Sequence, residues 1–342
     1  MSSQASIAGW RRVVLSVTLA LAASGGVARA AEPVLSPITV ASRDAFWAGD
    51  FDEIERQNAY FRQPGRIEPS GISQIYLFRK GLNIVLKNKV ENAEPYLKEL
   101  DLLTLQWANE HPKSAFAHAL HADALLTHAW SYRGGGYVKD VPPQAWKDFH
   151  AYLRRAAEYL NAHADVALTD SYAHAVLIQV AKGMEVSREQ MKAIANDGLK
   201  RNPEDFGLYF AVQETLLPKW GGDARAVDDY IKYATEQTRE RFGQGMYTRM
   251  YLNAADDQFG HMLFENSYAD WDKMKQGFED LMARYPDSPS RLNSYAYMAC
   301  LAKDKDTFLK QFAKIGKRID RERWGTNPER SVEGCRRWAT SL

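Results

Sequence analysis

The chain is poor in the features that most directly announce a function. It has only two cysteines, Cys300 and Cys335, and neither has a nearby histidine with which to build a metal site. Lys+Arg (44) and Asp+Glu (43) nearly cancel, so no basic footprint for nucleic acid is present. No apolar run reaches the roughly 20 residues of an ordinary membrane-spanning helix. Runs that alternate apolar and polar residues with β-branched enrichment are also missing, so essentially no sheet is expected. What the chain does have is an aromatic content of 12% and enough length for a sizeable core, which fits a packed chain and not a disordered one.

The first thirty residues have the pattern of a cleaved signal peptide. Arg11 and Arg12 supply a basic start, Val13 to Ala23 an apolar centre, and Ala28-Arg29-Ala30 a small-x-small cleavage site. This predicts a mature chain beginning at Ala31, periplasmic or secreted, that meets the membrane only during export. The twin-arginine pattern around Arg11-Arg12 is loose, and the general secretory route fits better. No cysteine follows the cleavage site, as a lipid anchor would need. Removing residues 1–30 lowers Lys+Arg from 44 to 41 against 43 Asp+Glu, a formal charge of −2. Residues 31–43, with Pro33 and Pro37, read as a flexible leader. In an exported chain Cys300 and Cys335 are candidates for a disulfide worth about 3–4 kcal/mol in the chain-entropy model, the alternative being two unpaired thiols.

The body of the chain, residues 44–325, is predicted to be all-α: an α-solenoid of degenerate tetratricopeptide-like helix pairs. Three times an amphipathic helix runs into a proline and out into another helix, at Asn109-Glu110-His111-Pro112, Lys200-Arg201-Asn202-Pro203 and Ala283-Arg284-Tyr285-Pro286. A helix pair cannot bury its apolar face alone, so such units stack. Trp146, Phe149, Leu153, Ala156, Ala157 and Leu160 recur at helical spacing, and Trp271, Met274, Phe278, Leu281, Met282 and Tyr285 reproduce the same stripe. The first helix is expected from Asp44 to Gln63, ended by Pro64-Gly65. Ser187-Arg188-Glu189-Gln190 reads as a capping box. Residues 326–342, around Cys335 and Trp338, read as an irregular C-terminal cap or tail.

Two glycine-rich segments interrupt the helices. In Trp130-Ser131-Tyr132-Arg133-Gly134-Gly135-Gly136-Tyr137, the glycines permit close backbone approach and Arg133 offers a two-pronged donor for a carboxylate or phosphate. The segment follows a helix C-terminus, where the dipole repels anions, and lacks the Lys-Ser/Thr of a phosphate loop. Leu217-Pro218-Lys219-Trp220-Gly221-Gly222-Asp223 is the second. Trp130, Tyr132, Arg133, Tyr137 and Trp220 are therefore the candidate ligand-binding residues, against the alternative that both segments are turns holding the helices together. His118, His121 and His128 share a helix face, but His128 lies about 15 Å along the axis from His118. No three-ligand metal site is expected there, and no metal, cofactor or catalytic residue is assigned. Asp256-Asp257 and Asp228-Asp229 are neighbours that point in different directions on a helix.

On the two glycine-rich segments and Ala299-Cys300-Leu301-Ala302-Lys303-Asp304-Lys305, the chain resembles a bacterial domain-of-unknown-function family with tetratricopeptide-like helices. The resemblance spans roughly residues 45 to 325. It implies an all-helical repeat domain, often exported, with no established activity and no site residue to carry over. The function expected is a protein- or peptide-interaction or scaffold module. The alternatives are a small ligand or anion held between the two glycine-rich segments, or a metal-dependent hydrolase using His118 and His121.

Overall fold

A computed structural model describes residues 35–136, 138–203, 205–286 and 288–341. The expected signal peptide, residues 1–30, and Tyr137 lie outside the described residues. Among those described the chain is all-helical, the sole β feature being an isolated bridge between Ile67 and Ser73. None of the helices is long and apolar enough to cross a membrane.

The first helices are α1 (Pro37–Trp47), α2 (Phe51–Phe61), α3 (Gln74–Leu86), α4 (Ala93–Glu110) and α5 (Ala115–Arg133). Two expectations are corrected here. Residues 37–43 are the start of α1 and no flexible leader: Ser36 caps the helix and Pro37 occupies its first turn, where a missing N–H costs nothing. Thr39 and Ser42 are buried and donate to the Leu77 and Phe78 carbonyls of α3, at 2.9 and 2.8 Å. The approach is close enough to require Gly81, where a Cβ would lie 2.3 Å from the Thr39 carbonyl oxygen. The single helix expected from Asp44 to Gln63 is two, because Gly49 takes φ +66° and Asp50 caps α2 through the Glu53 N–H.

Next come α6 (Pro143–Ala162), α7 (Ala164–Ala167), α8 (Ser171–Gly183), α9 (Arg188–Arg201) and α10 (Phe206–Thr215). They are followed by α11 (Ala224–Phe242), α12 (Gly245–Ala254), a π-helical turn Ala255–Phe259, α13 (Leu263–Asn266) and α14 (Trp271–Arg284). The last are α15 (Pro289–Leu301), α16 (Lys305–Ile315) and α17 (Pro328–Thr340).

The three proline joints share a local cause. Two residues after each proline stands an N-cap whose side chain accepts a backbone N–H of the helix it opens: Ser114 for α5, Asp205 for α10 and Ser288 for α15. The proline stops one helix and the cap starts the next.

The repeated stripe contributes buried residues to the core. Phe149, Leu153, Ala156 and Leu160 of α6 are buried against α5 and α8, and Met274, Phe278 and Leu281 of α14 are buried among the α11–α15 helices. Helix α5, apolar nearly all round, is buried along most of its length between α4, α6 and α8. The C-terminal residues, expected to be irregular, form α17. Asn327 caps it and Pro328 opens it, while Cys335 is bonded to Cys300 of α15 with Cα atoms 5.8 Å apart. Trp324, fully buried just before it, donates to Asn293 Oδ1 at 2.8 Å.

Candidate functional site

The two glycine-rich segments meet. Helix α5 ends at Arg133 because Gly134 turns to φ +66° and sends its N–H back to the Trp130 carbonyl at 2.8 Å. The Arg133 guanidinium folds over the same loop and donates to the Gly134 and Gly136 carbonyls at 2.9 and 3.1 Å. In the second segment Pro218–Trp220 makes one 3₁₀ turn, closed by Gly221 at φ +75°. A Cβ on Gly222 would sit 1.8 Å from the Leu216 carbonyl oxygen, so only glycine fits there. Arg188 of α9 donates to the Gly221 carbonyl at 2.6 Å, and Lys219 anchors on the π-helical turn through Gln258 Oε1 and the Asp257 carbonyl.

Where the segments meet, aromatic rings and cations interleave. The Trp130 and Trp220 rings are edge-to-face with centroids 5.5 Å apart. The Arg133 guanidinium carbon lies 5.4 Å from the Trp130 and Trp220 ring centroids and 5.6 Å from that of Trp146. Lys182 of α8 places its ammonium 4.3 Å from the Trp220 centroid and 5.0 Å from that of Trp130. Such cation–π contacts strengthen as water is excluded. Lys182 is also paired with Glu214 at 2.8 Å, and Gln179 donates to the other oxygen of that carboxylate. Burial lowers the Lys182 pKa; for Glu214 burial works upward, but the adjacent ammonium holds the carboxyl below its usual value.

Of the sequence candidates, Trp130, Arg133 and Trp220 therefore form one cluster. Tyr132 departs from it: its hydroxyl donates to Glu94 at 2.9 Å and its ring stacks on His128. Trp146, Lys182, Gln179 and Glu214 are members the sequence did not single out. Trp146 heads the α6 stripe and was visible as such, whereas nothing in α8 marks Lys182.

The glycines of the first segment differ in kind. Gly134 is required by its positive φ. Gly135 and Gly136 have no positive φ, a Cβ at either would meet no atom within 4 Å, and both are exposed. Their Cα positions are open, while the Gly136 carbonyl accepts from Arg133.

The histidines are engaged in packing. His118 Nδ1 is 2.8 Å from the Tyr159 hydroxyl and its Nε2 3.1 Å from the Pro112 carbonyl, with His163 stacked on the ring. His121 Nδ1 is 3.0 Å from Thr104 Oγ1, and burial brings its pKa down to about 4. His128 pairs with Glu94 at 3.0 Å. Among the described residues no three His, Cys, Asp or Glu side chains are grouped to hold a metal ion. Asp256 and Asp257 sit in the π-helical turn, both with carboxyl pKa values raised by burial.

A second polar network was not legible in the sequence. Arg79 of α3, nearly buried, donates to Asp170 at 2.7 Å and to Asp205 at 3.1 Å. These two carboxylates cap α8 and α10. Ser171 also donates to Asp205, Arg62 lies 3.4 Å from Asp170, and Tyr172 donates to buried Asp123. Each arginine here has an acid, and each acid a cation or a donor to serve, which marks the network as structural. No protein-family model matches the chain, and comparison with curated proteins and with solved structures likewise gives no significant match, so any functional reading rests on the geometry.

Proposed function

We propose that the protein is an exported interaction or scaffold module, a stack of degenerate tetratricopeptide-like helix pairs, that binds a peptide or protein segment where its two glycine-rich loops meet. The observation that carries this reading is the convergence of Arg133 and Trp220 beside the exposed Gly135–Gly136 backbone. A peptide needs main-chain donors and acceptors it can approach closely and aromatic surface to cover, and this junction offers both. The leader pattern and the bonded cysteines support export to an oxidising compartment, periplasmic or extracellular. A small anion between the loops fits less well, because Lys182 already serves Glu214 and Arg133 already serves its own loop carbonyls.

The test is affinity capture from a periplasmic extract, followed by titration of the captured partner while tryptophan fluorescence is recorded. Trp220→Ala removes the aromatic face, and Gly135→Glu places a bulky charge in open space without touching the core. Both are expected to weaken binding by at least about tenfold, the scale of an interface hot spot. Unchanged affinity in both folded variants would place the binding surface elsewhere.

A further inference from the structure

Arg133 is only half used by its own loop. Its bonds to the Gly134 and Gly136 carbonyls both leave from Nη1. Among the described residues Nε and Nη2 donate to no group, and neither is a buried atom lacking a partner, so this edge of the guanidinium meets solvent. The Nε and Nη2 hydrogens lie side by side in one plane, the arrangement that receives both oxygens of a single carboxylate.

The guanidinium also lacks a counter-charge. Burial lowers its pKa with no neighbouring acid to oppose it, whereas Lys182, the other cation of the cluster, has Glu214 at 2.8 Å. The adjoining residue outside the described ones is Tyr137, which carries no carboxylate. Arg133 is instead framed by the Trp130, Trp146 and Trp220 rings, all three half-buried, so that part of each ring stays open.

These facts constrain what can cover the junction. A guanidinium stays charged at neutral pH, and in the free protein water serves its open edge. A partner laid across the rings strips that water, and a cation covered without a counter-charge is strongly unfavourable. An uncharged segment bears that cost in full. A segment that brings a carboxylate to the open edge replaces the water with two charge-assisted hydrogen bonds. One solvent-facing edge holds a free anion weakly, but it is enough to set the register of a peptide whose apolar side chains cover the rings.

We propose that the segment bound at the loop junction carries a carboxylate that pairs with the Nε–Nη2 edge of Arg133, beside an apolar side chain that covers Trp130 and Trp220. This rests on the peptide-binding reading of the junction and names the chemistry of its partner. A chain terminus and an Asp or Glu side chain present the same two oxygens, and the experiment tells them apart.

The full-length mature protein is titrated with three N-acetylated peptides free of tryptophan. One is Ala-Leu-Phe-Ala-Leu with a free C-terminal carboxylate, the second is its C-terminal amide, and the third is that amide with Glu at the fourth position. Binding is followed by tryptophan fluorescence and by isothermal titration calorimetry. At least one carboxylate peptide should bind about tenfold or more tightly than the neutral amide, the scale of a charge-assisted pair. The tighter of the two identifies the source of the carboxylate. Arg133→Gln should abolish the preference while the neutral amide binds as before. Arg133→Lys keeps the charge but loses the flat two-pronged edge, and should retain only part of the preference, so the comparison survives a poorly folded glutamine variant. Equal affinity of the wild type for all three peptides overturns the carboxylate proposal and leaves the peptide reading standing. A preference that persists in folded Arg133→Gln also overturns it. No binding of any of the three up to about 5 mM overturns both.

Discussion

The Arg79 guanidinium donates to Asp170 at 2.7 Å, and Asp170 in turn accepts the Tyr172 N–H that opens α8. One buried arginine thus holds the carboxylate that starts another helix, while its second arm holds Asp205 at the start of α10. Replacing Arg79 with Gln leaves Asp205 without its arginine and Asp170 with Arg62 alone. The expected cost is about 3–5 kcal/mol in urea denaturation at pH 7. The pH dependence should also change. In the native chain burial would raise the Asp170 pKa, but Arg79 and Arg62 hold it below the ordinary value. Its contribution is therefore present above about pH 4 and lost as pH falls through the folded pKa. In Arg79→Gln only Arg62 and the Tyr172 N–H still oppose burial, so the loss of stability on acidification should be smaller than in the native chain.

His121 sets a second pH window. Its folded pKa, near 4 because burial disfavours the cation, lies below the ordinary 6.5. The unfolded chain then binds the extra proton first, so stability is complete above about pH 6.5 and declines as pH falls toward 4. The decline should be on the order of 1–3 kcal/mol, and His121→Gln should flatten that part of the profile. A wild-type profile without slope between about pH 6.5 and 4 would refute this.

The glycine-rich loops should separate by mutation. Gly135→Ala and Gly136→Ala meet no atom and need no unusual φ, so each should change stability by less than about 0.5 kcal/mol. Gly222→Ala drives a methyl into the Leu216 carbonyl and should cost more than about 2 kcal/mol. Paired thermal melts of the three variants decide the matter.

The Cys300–Cys335 bond ties α17 to α15 across a sequence separation of 35. Reduction, or Cys335→Ser, should cost about 3–4 kcal/mol and release α17 first. Hydrogen exchange would show this as lost amide protection confined largely to residues 328–340.

Periodicity carried most of the fold. The stripes headed by Trp146 and Trp271 were readable because side chains three and four residues apart share a helix face, and their buried members lie where that rule puts them. The break at Gly49-Asp50 and the start at Ser36-Pro37 were also written in cap chemistry, but each signal is two residues long and the apolar pattern ran through one and stopped short of the other. The site was only half legible. Trp130, Arg133 and Trp220 stand out by composition, yet their meeting depends on how α5, α8 and α10 stack, which no local pattern encodes. Arg79 looks like any other arginine in the sequence. Two acids flank it, and only the assembled helices bring them there.

The contact from Arg249 to Gly71 joins residues 178 apart in sequence. Most of this chain's helix contacts link near neighbours and can form early at little entropic cost. Bringing the 62–73 loop against the α14–α15 joint requires everything between to be in place, because closing so long a loop before then sacrifices the most chain entropy for the least contact. That seam is accordingly expected to be among the last parts of the structure to assemble and among the first to open.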